Sequence, residues 1–97
     1  MLEVVAILTV RPECVAETEK LLCQLINGSR QDKGNIAYNC NPVEGTPGKY
    51  IFRESWQNQE LLDLHMQQEH FTDFAAAVAP LTATDLEVFV LGNAVAG

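Results

Sequence analysis

At 97 residues the chain has the length of one domain (1–97), yet a domain this small buries only a modest share of its surface, so a partner subunit would help to stabilise it. Thirteen acids against six bases leave a net charge of −7, which would repel a phosphate backbone and argues against a nucleic-acid partner. No apolar run approaches the roughly 20 residues needed to cross a bilayer, and an acid at Glu3 stands where a signal peptide would carry bases, so the expectation is a cytoplasmic protein with no membrane partner.

Residues 2–10 are almost uninterrupted in apolarity and rich in Val and Ile, as in a strand covered on both faces. Pro12 suits the first turn of a helix, and Glu13 and Glu17 favour its positive end. Val15, Leu22, Leu25 and Ile26, with Leu21 alongside, then recur at helical spacing and leave Glu17, Lys20 and Gln24 to solvent. This helix is expected to stop near Ser29, before the polar Arg30-Gln31-Asp32-Lys33 and Gly34. A second strand fits Asn35 to Asn41, with Ile36, Tyr38 and Cys40 on one face. The Pro- and Gly-rich stretch from Asn41 to Gly48 reads as a loop.

Strand three runs from Lys49 to Trp56, and its alternation puts Tyr50, Phe52, Glu54 and Trp56 on one side, Ile51, Arg53 and Ser55 on the other. Asn58 is placed to cap a helix carrying Leu61, Leu64 and His65 on one stripe. A further helical piece from Glu69 turns Phe71, Phe74, Ala75 and Val78 inward until Pro80 ends it. The last strand is expected at Asp85 to Leu91, with a short small-residue tail after it. The order β-α-β-β-α-β, counting the two helical pieces as one unit, is that of an α+β, ferredoxin-like fold: an antiparallel sheet with helices on one face.

The chain's only Trp and both His fall within Trp56 to His70. His65 suits the role of a general base, since imidazole titrates near neutrality, and it also fits a His packed at the edge of the core. Glu54 points to the side of Trp56, where it could orient His65 or form an ion pair across a sheet or interface. Trp56, Phe52 and Phe71 could form apolar walls for a flat ligand or pack in the core, and Tyr38 could reach the same pocket through its hydroxyl. His70, five positions beyond His65, would point about 140° away on a continuous helix, so no shared metal ligation is expected. His65 and Glu69, four apart, fit a helical ion pair. Cys14 and Cys23 are too far apart on a helix to bridge, and the three Cys read as reduced thiols. Zinc-ribbon, dinucleotide, P-loop and Gly-x-Ser-x-Gly motifs are absent.

Phe52-Arg53-Glu54-Ser55-Trp56, then His65, then Glu69-His70-Phe71 and Phe74, following an apolar first strand that ends at Arg11-Pro12, resembles the antibiotic biosynthesis monooxygenase (ABM) family, of the quinol monooxygenase type. The resemblance covers nearly the whole chain. It implies a homodimer whose two sheets pack as a dimeric α/β barrel, and a reaction between a small aromatic quinol or anthrone-like substrate and dioxygen with no cofactor and no metal. It also favours the catalytic role for His65; from the residues themselves, Glu54 is the second catalytic candidate, and Trp56, Phe71, Tyr38 and Phe52 are candidates around the substrate. Haem-degrading relatives use an Asn, a Trp and a His; at about the corresponding positions stand Ala6, His65 and Ala75, so haem degradation is disfavoured. The alternative is a non-oxygenase of the same fold, either an isomerase of a phosphorylated, autoinducer-type signal or a ligand-binding or regulatory module. A phosphosugar would call for Lys or Arg in the pocket, and Arg53 faces away from Trp56.

Overall fold

The computed structural model describes residues 1–97. It contains β1 (Leu2–Thr9), α1 (Val15–Ser29), β2 (Asn35–Pro42), β3 (Lys49–Trp56), α2 (Gln59–His65), α3 (Glu69–Val78) and β4 (Glu87–Leu91), with single 3₁₀ turns at Pro12–Cys14 and Ala79–Leu81. The four strands form one antiparallel sheet in the order β2-β3-β1-β4. The crossover through α1 carries the chain from β1 over β3 to the far edge, which is the split β-α-β arrangement of the ferredoxin-like fold.

The core lies between one sheet face and the helices. Val4, Ala6 and Leu8 of β1 and Tyr50, Phe52 and Trp56 of β3 are buried there, against Leu22 and Leu25 of α1 and Phe74 and Val78 of α3. Alternation explains the selection, because successive strand residues point to opposite faces. On the other face, the paired residues Val5, Arg53 and Phe89 and the paired residues Ile7 and Ile51 have no helix over them. Val5 and Ile7, expected to be covered on both sides, are therefore only half-buried within the chain, and Phe89 and Leu91 are exposed.

Several boundaries differ from the sequence expectation for local reasons. β1 ends at Thr9, and Val10 makes a lone bridge to Thr82. Its N–H donates to the Gly48 carbonyl, and Gly48 sits at φ +91° where a Cβ would fall on the Val10 carbonyl oxygen. In β2 a bulge between Asn35 and Ala37 breaks the alternation, so Ile36 is exposed instead of joining Tyr38. α2 is only seven residues long; Leu62 and His65 form its buried stripe, and Leu64 is exposed. Ala75 also faces solvent, leaving Phe74 and Val78 as the buried side of α3. β4 begins at Glu87, two residues later than expected.

No helix is long and apolar enough to cross a membrane.

Candidate functional site

A cavity of about 110 Å³, open on one side, lies between the sheet and the pair α2 and α3. Its floor is Val4, Ala6, Tyr38, Phe52 and Glu54, and its roof is Leu62, His65, Phe71 and Phe74. Met66, Leu86, Val88 and Val90 are lining residues that are also exposed, so the mouth lies on their side. Twelve of the fifteen lining residues are hydrophobic and none is Lys or Arg, so the cavity is predominantly apolar and offers no permanent cation.

His65 is placed by a short capped helix. The Asn58 side-chain oxygen accepts the Leu61 N–H at 2.9 Å and fixes the start of α2, whose last residue is His65. The His65 ring is 2% exposed. It lies over the Trp56 indole, with centroids 4.5 Å apart, and meets Phe71 edge-on at 5.3 Å. Its Nδ1 is 2.7 Å from Asp32 Oδ2. A carboxylate only accepts, so Nδ1 carries the proton and Nε2, which has no partner in the chain, keeps a lone pair. Burial pulls the His65 pKa below the ordinary imidazole value, the hydrogen bond and charge of Asp32 oppose that, and His70 lowers it further.

Asp32 itself sits in the turn after α1, where its N–H donates to the Ser29 carbonyl and its own carbonyl accepts from Asn35. The sequence reading missed it: an acid in a polar, aperiodic segment carries no pattern that points inward. His70 also reaches Asp32 Oδ2, through Nε2 at 2.8 Å. The two His therefore converge, against the expectation of divergence, because the helix breaks at Met66–Gln68 and restarts with a new axis at Glu69. His65 pairs with Asp32 and not with Glu69, which is exposed. Gly28 makes room for this, since a Cβ there would stand 2.8 Å from the His70 ring.

Asp32, His65 and His70 offer ligand atoms within 4.8 Å of one another, the one cluster of metal-ligand type in the chain. Two ligands each about 2.0–2.1 Å from a tetrahedral zinc would stand roughly 3.3 Å apart. The separations of 2.7 and 2.8 Å are hydrogen-bond lengths, so the geometry is that of one carboxylate oxygen accepting from two imidazoles.

Glu54 makes no hydrogen bond to His65. Its Oε1 accepts the Trp56 indole N–H at 3.0 Å, it makes no ion pair, and its other oxygen has no partner in the chain. The residue is 8% exposed, and burial raises its pKa, with the indole N–H acting in the opposite direction. Trp56 is wholly buried and is not part of the cavity lining; it stands behind Glu54 and His65 as their common support. Phe52, Phe71 and Tyr38 do line the cavity. Burial, then the Glu54 charge, pushes the Tyr38 phenol far above its usual pKa, so it remains a neutral donor. Arg53 faces the opposite side and donates to Asn41 at 2.8 Å. All three Cys are free, and burial pushes the Cys40 thiol up to about 12, away from thiolate chemistry.

The ABM family model, described as antibiotic biosynthesis monooxygenase, matches residues 1–77. A curated relative from Bacillus subtilis (strain 168), named "Putative monooxygenase YcnE", is 26% identical over 88 residues, which is 91% of this chain and 93% of that protein. A crystal structure of an antibiotic biosynthesis monooxygenase superposes with a TM-score of 0.93 at 28% identity, covering 97% of this chain and 99% of the other. A conserved protein from Methanosarcina mazei Go1 superposes with a TM-score of 0.88 at 26% identity, covering 93% and 89%.

Proposed function

Since the chain belongs to the antibiotic biosynthesis monooxygenase family, we propose that it is a monooxygenase that oxidises a small aromatic quinol or anthrone-like substrate with dioxygen. The observation that supports this best is His65: a ring with its Nδ1–H on Asp32 and its bare Nε2 at an apolar cavity. A phenolic hydroxyl in that cavity would give its proton to Nε2, and Asp32 would stabilise the imidazolium that forms. The resulting anion is electron-rich and poorly solvated, and it is itself the reductant of dioxygen. One oxygen atom stays in the product and the other leaves as water. Phe52 and Phe71 would hold the ring plane. Positioning and a dry surrounding are the protein's contribution, with His65 as the base and Asp32 as the residue that positions it.

In this proposal the functional unit is a homodimer, because the sheet face bearing Val5, Ile7, Phe89 and Leu91 calls for a cover that the chain lacks.

Oxygen uptake with an anthrone and with a naphthalenediol tests the reading. Wild-type protein should consume oxygen above the uncatalysed rate, and His65→Ala should lose about 10²–10⁴ of that acceleration. Equal rates with and without wild-type protein across both substrate types would remove the proposal, and full turnover in His65→Ala would remove His65 from it.

A further inference from the structure

The cavity holds a second polar feature that proton abstraction by His65 does not use. Glu54 is more than nine-tenths buried, projects from β3 into the cavity floor, and has one carboxyl oxygen tied to the Trp56 indole N–H. Its other oxygen bonds to nothing in the chain. That oxygen keeps some contact with open space, and nearby apolar residues such as Phe52, Val4 and Ala6 offer it no partner. An isolated carboxyl kept among such neighbours, without a cation, is what a ligand-recognition group looks like before the ligand arrives.

We propose that this free oxygen of Glu54 is a binding subsite for a second oxygen function on an uncharged aromatic ligand, a hydroxyl or carbonyl remote from the one that His65 meets. The inference rests on the aromatic-substrate reading above and adds to it the residue that meets the ring's second oxygen and the exclusion of anionic groups from the ring. A hydroxyl donates to the carboxylate, and a carbonyl accepts from the protonated acid, toward which burial biases this group. A phosphate or carboxylate would meet Glu54 with no Lys or Arg in the lining to offset the repulsion. The Trp56 indole lies against the His65 ring and donates its N–H to Glu54, so the two anchors share one support.

The test is anaerobic binding of three probes with one ring system: 1-naphthol, 1,4-dihydroxynaphthalene and 1-naphthyl phosphate. Calorimetry supplies the affinities. The chain's single Trp gives one indole N–H resonance, whose shift places the ligand beside Glu54. In the wild-type chain the second hydroxyl should tighten binding about five- to tenfold, the indole resonance should move, and the phosphate should not bind. Glu54→Leu should bind both naphthols with equal affinity. A gain from the second hydroxyl that survives in Glu54→Leu overturns the subsite, as does a phosphate that binds the wild type as tightly as 1-naphthol, or an absence of binding by either naphthol. The phosphate measurement needs no variant, so it decides even where Glu54→Leu does not fold. Because no oxygen is present, binding that follows the expected pattern without later oxygen consumption would refute the oxygenase reading and leave the subsite standing.

Discussion

Asp32 and His65 are 33 positions apart in sequence and 2.7 Å apart in the fold. Their contact converts an ordinary buried imidazole into one with a defined tautomer, because an acceptor on Nδ1 leaves Nε2 as the only basic nitrogen. The same Asp32 oxygen is also held by His70 at 2.8 Å, so the carboxylate is anchored from α3 while it orients α2.

Replacing Asp32 with Asn removes the charge that favours the imidazolium while nearly keeping the shape. In the proposed reaction kcat should fall by about 10²-fold or more, with a smaller change in KM. His70→Ala should cost less than His65→Ala, since it removes an anchor of Asp32 and not the base. Steady-state oxygen uptake by the three variants gives the order directly, and equal losses for His65→Ala and His70→Ala would contradict it.

Stability should depend on pH through two groups of opposite sign. The folded pKa of His65 is below its usual 6.5, so the unfolded chain takes up this proton first as pH falls. Its contribution is fully present above about 6.5 and is lost as pH drops toward the folded value. For Glu54 the folded pKa is above 4.5, so its contribution is greatest below 4.5 and is lost as pH rises through the raised value. Thermal melts of Glu54→Gln and wild type between about pH 4 and 8 should show the Tm difference moving in favour of the variant as pH rises. A constant difference would mean that Glu54 is not shifted.

Two glycines with positive φ should respond differently to alanine. Gly45, at φ +81°, has open space around it, and Gly45→Ala should cost about 1–2 kcal/mol from backbone conformation alone. At Gly48, φ +91°, the added methyl would meet the Val10 backbone oxygen, and Gly48→Ala should cost more than about 3 kcal/mol. Urea unfolding midpoints at constant m-value provide the comparison.

The proposed dimer predicts twice the chain mass of 10.7 kDa by light scattering at micromolar concentration. Phe89 shares the uncovered face with Val5 and is 45% exposed in the single chain. Phe89→Arg puts a charge into that seam and should return the monomer mass. A wild-type monomer would exclude the dimer.

The strands and their facing were legible because they depend on local alternation: Tyr50, Phe52, Glu54 and Trp56 do share the buried side. The general position of His65 was legible for the same kind of reason, as part of a capped amphipathic stretch. What could not be read depends on breaks in period. The bulge at Ile36, the one-residue shift of the inward stripe from Leu61 to Leu62, and the interruption at Met66–Gln68 each rotate side chains in ways that no repeat announces. Asp32 is the extreme case, a polar turn residue brought against His65 only by tertiary contact. The roles of Trp56 and Glu54 were exchanged for a similar reason: sharing a face does not say which side chain reaches the open space and which stands behind it.

β4 belongs to two surfaces at once. Val88 and Val90 look into the cavity while Phe89 and Leu91 look to the bare face, and this edge strand is exposed throughout in the single chain. In the proposed dimer a guest that steadies one side of the strand steadies the other, and linkage makes the effect reciprocal: occupancy strengthens association by the factor by which association strengthens occupancy. Ligand affinity would then be a function of protein concentration, weak where subunits are dilute and tight where they are paired.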